Sequence, residues 1–283
     1  MNVQWYPGHM TKTMRMLQEN ISLVDVVIEL LDARIPHSSR NPDINRLAKD
    51  KKRIIILNKA DLADEAANAA WANYFAGRGV VVIPVNSVTG KGTDAVSTAA
   101  KELMKEKLER LRAKGRIFVP TRAMVAGIPN VGKSTLINRF VGTTIAKAAD
   151  KPGVTRSKQW IKVRKDFELL DTPGILWPKF DDRTVGIHLA ITGAINDDIV
   201  DTESLACELI KLLAKLYPNA LTTRYGIDPH ADGMEPMDTL TAIATARGFL
   251  IKGGAADTNR AAIILIDEFR GGKLGRMTLE RPE

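Results

Sequence analysis

Cysteine is nearly absent: Cys207 stands alone in 283 residues. That excludes an internal disulfide and fits a reducing compartment. No apolar run approaches the roughly twenty residues that a membrane helix needs. The first residues are polar and aromatic, without the basic start and apolar core of a secretory signal. Together these features predict a soluble, cytoplasmic protein that does not enter a membrane. The four histidines, His9, His37, His188 and His230, show no metal-ligand spacing, so a histidine-built metal centre is not expected. Aromatic residues make up 5% of the chain and rarely sit among its basic residues, which argues against base stacking as a mode of RNA contact. Repeats and low-complexity tracts are not apparent. Positive charge, by contrast, is plentiful. The chain carries a net +8, made of +12 in residues 1–178 and −4 in residues 179–283.

Two motifs organise the basic part. GIPNVGKS at Gly127 to Ser134 fits G-x-x-x-x-G-K-[ST], whose glycines let backbone N–H groups turn inward around a phosphate chain. It follows a strand-like RAMVAG and precedes an amphipathic STLINRF, the strand, loop and helix order the motif requires. Gly127, Asn130, Val131, Gly132, Lys133, Ser134 and Thr135 are therefore candidate phosphate-binding residues. Lys133 would act on the β- and γ-phosphates, and Ser134 would offer a hydroxyl to magnesium. NKAD at Asn58 to Asp61 ends the strand-like RIIIL and supplies the choice of base. Asp61 can accept from the ring N–H and exocyclic amine of guanine, a donor pair that adenine lacks. Asn58, Lys59 and, from the loop NSVTGKG, Ser87 complete the expected guanine site. In an ordinary GTP-binding chain the phosphate loop precedes this motif; here it follows, so the sequence reads as circularly permuted.

DTPG at Asp171 to Gly174 ends FELLD and would place Asp171 near magnesium and the Gly174 N–H near the γ-phosphate. KPGVTR supplies Thr155 as the second magnesium hydroxyl. Loss of the γ-phosphate would release both segments. Many GTPases carry a water-orienting glutamine after this glycine, whereas this chain has Ile175, Leu176 and Trp177. Catalytic help must come from elsewhere, and three sources are open: a potassium ion held by Asn130, His9, or groups from a partner. Asn130 reads equally as a residue that merely shapes the loop, and His9 as a packing or capping group. Asp32 and Arg34 end the strand-like VDVVIELLD and either brace the loop or touch nucleotide.

WYPGHMTK, DAR, NKAD, GIPNVGKS, PGVTR and DTPGI, in this order, resemble the ribosome biogenesis GTPase A family of circularly permuted GTPases. The resemblance runs the length of the chain, to FRGGKLGR at Phe269 to Arg276. It implies GTP and GDP as ligands and action late in assembly of the bacterial large ribosomal subunit, with hydrolysis stimulated by that particle. It places Ile175 where a hydrophobic residue replaces the catalytic glutamine, and His9 where the family has a histidine proposed to act in catalysis.

The expected fold is α/β: a P-loop GTPase domain with a mostly parallel sheet over residues 1–178, followed by a smaller all-α domain over residues 179–283. Apolar spacing predicts helices at 184–194, 203–216, 237–250 and 258–269. The resemblance implies that this second domain contacts ribosomal RNA. Its negative charge narrows the candidates to the local cluster Arg270, Lys273 and Arg276. Two dense basic stretches, Lys101 to Arg116 and Lys147 to Lys165, suit phosphate and RNA-shape recognition. The expected partners are the large-subunit precursor with its ribosomal RNA and proteins, met by a chain that is monomeric off the ribosome. Alternatives are a nonhydrolysing GTP-gated RNA-binding scaffold and a GTPase partner of an RNA-modification system.

Overall fold

The computed structural model describes residues 17–116, 119–142, 160–172, 174 and 182–282. His9, Thr155 and the segment Ile175 to Trp177 lie outside the described residues. Six strands form one sheet among these residues: β1 (Val26–Asp32), β2 (Lys52–Asn58), β3 (Val81–Val85), β4 (Thr121–Gly127), β5 (Trp160–Arg164) and β6 (Phe167–Asp171). Their spatial order is β3-β2-β1-β4-β6-β5, with only the edge pair β5 and β6 antiparallel. The central strands read as continuous apolar runs because both faces are covered, and β1 is buried at every position.

The register brings the motifs together. Asp32 pairs with Asn58, Leu30 with Gly127, and Val125 with Asp171. DAR, NKAD, the phosphate loop and DTPG thus leave adjacent strands at one carboxyl edge. Strands run outward from β1 in one direction and from β4 in the other, so the edge between them is the topological switch point where α/β proteins bind nucleotides.

Helices α1 (Pro42–Leu47), α2 (Glu65–Ala76), α3 (Thr93–Leu103), α4 (Lys105–Ala113) and α5 (Lys133–Val141) accompany the sheet. Helix α4 buries no residue, so most of the basic stretch Lys101 to Arg116 lies on an exposed helix. Five further helices follow: α6 (Arg183–Ile191), α7 (Thr202–Leu216), α8 (Ala220–Tyr225), α9 (Pro236–Ala246) and α10 (Thr258–Arg270). On α7, Leu205, Leu209 and Leu213 recur at every fourth position and are buried. One apolar cluster runs from Ile28, Val125 and Leu169 of the sheet to Leu209, Leu265 and Phe269 of the helices. Residues near the end of the sequence return to the sheet: the Met277 N–H donates to the Leu62 carbonyl (2.9 Å) and the Leu279 N–H to that of Arg34 (2.8 Å).

Two helical expectations change. Helix α9 stops at Ala246, not near 250, because the left-handed Gly248 (φ 67°) ends it and Leu250 pairs as an isolated bridge with Ala256. The short α8 lies between the breaks at YPN and GID, where its six residues are too few for a clear period.

Helix α10 carries a buried charge. Glu268 accepts from Arg224 Nε (2.8 Å) and Tyr225 Oη (2.7 Å), with Arg247 3.6 Å away. The hydrogen bond from Arg224 leads the causes that hold its pKa down at about 2. Because the folded value lies below the ordinary carboxylate value, the stabilisation is complete above about pH 5 and is lost as pH falls toward 2. E268Q should cost about 2 kcal/mol in urea unfolding at pH 7, and the gap from wild type should close on acidification.

Candidate nucleotide site

The phosphate loop joins β4 to α5. Asn130 (φ 57°) and Gly132 (φ 96°) adopt left-handed conformations that turn the chain. Helix α5 has no side-chain cap, so its first N–H groups face the loop without a side-chain acceptor, the arrangement that binds anions. Ser134 and Thr135 are exposed at its start. Lys133 Nζ lies 3.2 Å from an Asp171 carboxylate oxygen, which joins the phosphate loop to DTPG. Thr172 donates to the Val125 carbonyl (2.6 Å) and fixes DTPG against β4. A Cβ on Gly174 would stand 3.0 Å from Pro129 backbone atoms, so a larger residue there would push the two loops apart by a few tenths of an ångström.

The guanine motif is braced from within. Asn58 Nδ2 donates to the Val131 carbonyl (2.8 Å), while its Oδ1 accepts from the Ser87 N–H (3.1 Å) and hydroxyl (2.7 Å). One buried amide therefore ties the base motif, the phosphate loop and the loop after β3 together. Ser87, expected to close over guanine O6, donates its hydroxyl to Asn58 and lines the same cavity as Asp61. The N–H groups of Val88 and Thr89 are likewise committed, both to Asn86 Oδ1 at 2.9 Å. Polar groups flanking the strands find one another before they face a ligand.

Lys59, left-handed at φ 59°, reaches the Asn130 carbonyl (3.0 Å) and Asp32 (2.9 Å). Arg34 holds Asp32 through Nε (2.9 Å) and Nη2 (2.8 Å). Burial alone would raise the Asp32 pKa, but Arg34 and Lys59 hold it well below the carboxylate range. Of the two readings of DAR, the brace is the one the geometry realises: Asp32 aims Lys59 across the phosphate loop. Asp61 is exposed and lines a cavity of about 260 Å³ with Asn58, Lys59 and Gly132.

That cavity is also lined by Thr192 and Arg270, from the helices beyond the switch segment. Thr192 belongs to no motif, and Arg270 was expected to face RNA rather than the base. Asn130 Nδ2 donates to the Gly193 carbonyl (2.8 Å), a second link from the phosphate loop to the same helices. Arg270 and Arg276, expected to face RNA, are turned to intramolecular partners. Arg270 pairs with Asp197 (2.7 Å) and caps the α6 carbonyls; Arg276 donates to the carbonyls of Ala63 (2.8 Å) and Ala60 (3.2 Å). Both satisfy orphan carbonyls at loop and helix ends. Lys273 remains exposed.

Gly132 offers a local test. A Cβ there would stand 2.4 Å from Asn58 Nδ2, on a backbone with φ +96°. G132A should weaken nucleotide binding roughly ten- to hundredfold in a titration, from strain of about 1–3 kcal/mol.

A phosphate loop, an acidic base motif and a γ-phosphate loop on adjacent strand ends define a P-loop GTPase, a binder of guanine nucleotides. A family model described as 50S ribosome-binding GTPase matches residues 122–217. Ribosome biogenesis GTPase A of Bacillus cereus is 47% identical over 283 residues, which span 100% of this chain and 95% of the relative. The chain belongs to the ribosome biogenesis GTPase A family. The GDP-bound and GNP-bound structures of YlqF from Thermotoga maritima superpose with TM-scores of 0.68 and 0.67 at 27% identity, covering 95% and 96% of this chain and 99% of theirs. Among the described residues, no helix is long and apolar enough to cross a membrane.

Proposed function

We propose that this protein is a cytoplasmic GTP-hydrolysing assembly factor that docks, as a monomer carrying GTP, on an immature large ribosomal subunit and leaves after hydrolysis. Family membership supports the ribosomal partner. The observation that carries the mechanism is the hydrogen bond from Asn130 in the phosphate loop to Gly193, because it gives the nucleotide site a direct hold on the helices that follow the switch segment.

In this reading the N–H groups from Gly127 to Thr135 cradle the phosphates, Lys133 balances their charge, and Gly174 meets the γ-phosphate. Asp61 reads the base, while Asn58 and Lys59 hold its pocket in shape. Ser134, Thr155 and Asp171 supply oxygen donors that suit magnesium, and the Asp171 carboxylate beside Lys133 fits that role. When bound, the metal would neutralise β- and γ-phosphate oxygens. Asn130 has its amide nitrogen committed to Gly193, which leaves its oxygen for potassium. His9 is the chain's own candidate for handling the attacking water, and the ribosomal particle completes the site. The division into a nucleotide domain, residues 1–178, and a helical domain, residues 179–283, follows the place where DTPG runs into α6. Lys273 and the exposed basic α4 are the groups offered to ribosomal RNA.

Co-sedimentation with immature large subunits tests the docking step. Retention with a non-hydrolysable GTP analogue and release with GDP is the expected result; equal retention in both states would remove the switch.

A further inference from the structure

The guanine pocket has no aromatic wall among its described lining residues. A guanidinium plane can stack on a purine, and two of them, Arg34 and Arg270, line the pocket. Arg34 is spent: it is 2% exposed and bonded to Asp32 and to the Arg270 carbonyl. Arg270 is different. Its Nε donates to the Ile191 carbonyl (2.9 Å), Nη2 to the Ala190 carbonyl (2.8 Å) and Asp197 Oδ1 (2.7 Å), and Nη1 to Asp197 Oδ2 (2.8 Å). All these bonds lie along the edge of the guanidinium, so what it offers a ligand is its face.

One face is covered. A Cβ on Gly193 would stand 3.3 Å from Cζ, 3.3 Å from Nε and 3.5 Å from Nη2, so it would sit over the plane. Glycine there lets the backbone lie against the guanidinium. Arg270 also lines the pocket, together with Asp61, Lys59 and Thr192.

We infer that Arg270, presented by α10, stacks on the guanine ring, so that the helices after the switch segment bind the nucleotide through its base. This rests on the assignment of the base site to Asp61. The consequence differs from a γ-phosphate switch: GDP and GTP engage Arg270 equally, and either nucleotide clamps α10 and α6 onto the sheet. The switch segments then govern only what hydrolysis changes.

The test compares binding of GDP and a non-hydrolysable GTP analogue to the full chain in wild type, R270K, D197N and D61N. R270K keeps the charge and loses the plane; it should lose about tenfold in affinity for both nucleotides. D197N removes the in-plane partner and keeps the face, so it should bind within about threefold of wild type even where its melting temperature falls as far as that of R270K. Inorganic tripolyphosphate, which has no base, should bind wild type and R270K alike. The inference is overturned if R270K binds GDP as wild type does while D61N still turns preference from guanine to xanthine. It is overturned too if tripolyphosphate loses as much affinity as GDP. If D61N changes no preference, the base site lies elsewhere and the stacking role falls with it.

Discussion

K133A should lower particle-stimulated GTP hydrolysis by roughly 10²–10³-fold, the loss typical of removing one preorganised charge from a reacting centre. Lys133 opens α5 and lies 3.2 Å from Asp171, with its side chain 11% exposed, and in the proposed mechanism its ammonium balances the charge that develops on the phosphates. The effect should fall on turnover more than on stability, because Asp171 remains accessible to solvent and is not left as a buried unpaired charge. Single-turnover assays at saturating particle, with melting curves for both proteins, would check this. Turnover within threefold or so of wild type would mean that Lys133 does not face the transferred group.

D61N should weaken GTP binding by about 10³-fold and raise affinity for xanthosine triphosphate, reversing the order of the two nucleotides. In the proposed base site the carboxylate would accept two hydrogen bonds from guanine, whereas an amide would donate to the xanthine oxygen that replaces the exocyclic amine. A donor pair left unpaired in a closed pocket is costly, which is why the swing is large. Competition titrations with both triphosphates would read it directly. An unchanged order would move the base away from NKAD.

Both predictions concern residues that were legible from sequence because each motif fixes its own local structure. The glycines of GIPNVGKS force a loop and the period of STLINRF forces a helix. The apolar run before NKAD forces a buried strand with the motif at its end. Five of the six strands follow from similar runs; β5, whose WIKVR is interrupted by charge, reads only as part of a basic stretch. What could not be read is tertiary: Asn58, which lines the base cavity, also shares its amide between Val131 and Ser87. Ser87 shares that amide and lines the same cavity as Asp61. Sequence gives charge and not partner: the carbonyls that Arg270 and the still exposed Arg276 cap come from α6 and from the segment Ala60 to Ala63. The second side of the base cavity comes from Thr192, which no motif marks, and from Arg270, which its charge assigned to RNA.

GTP hydrolysis by the purified protein, in potassium and in sodium, with and without isolated large ribosomal subunits, tests the assembly-factor reading most directly. Slow intrinsic turnover that rises strongly with the subunit is the predicted result, with a further requirement for potassium if Asn130 holds that ion. Hydrolysis indifferent to the subunit in both salts would contradict it, and would leave a guanine-nucleotide-gated scaffold in its place.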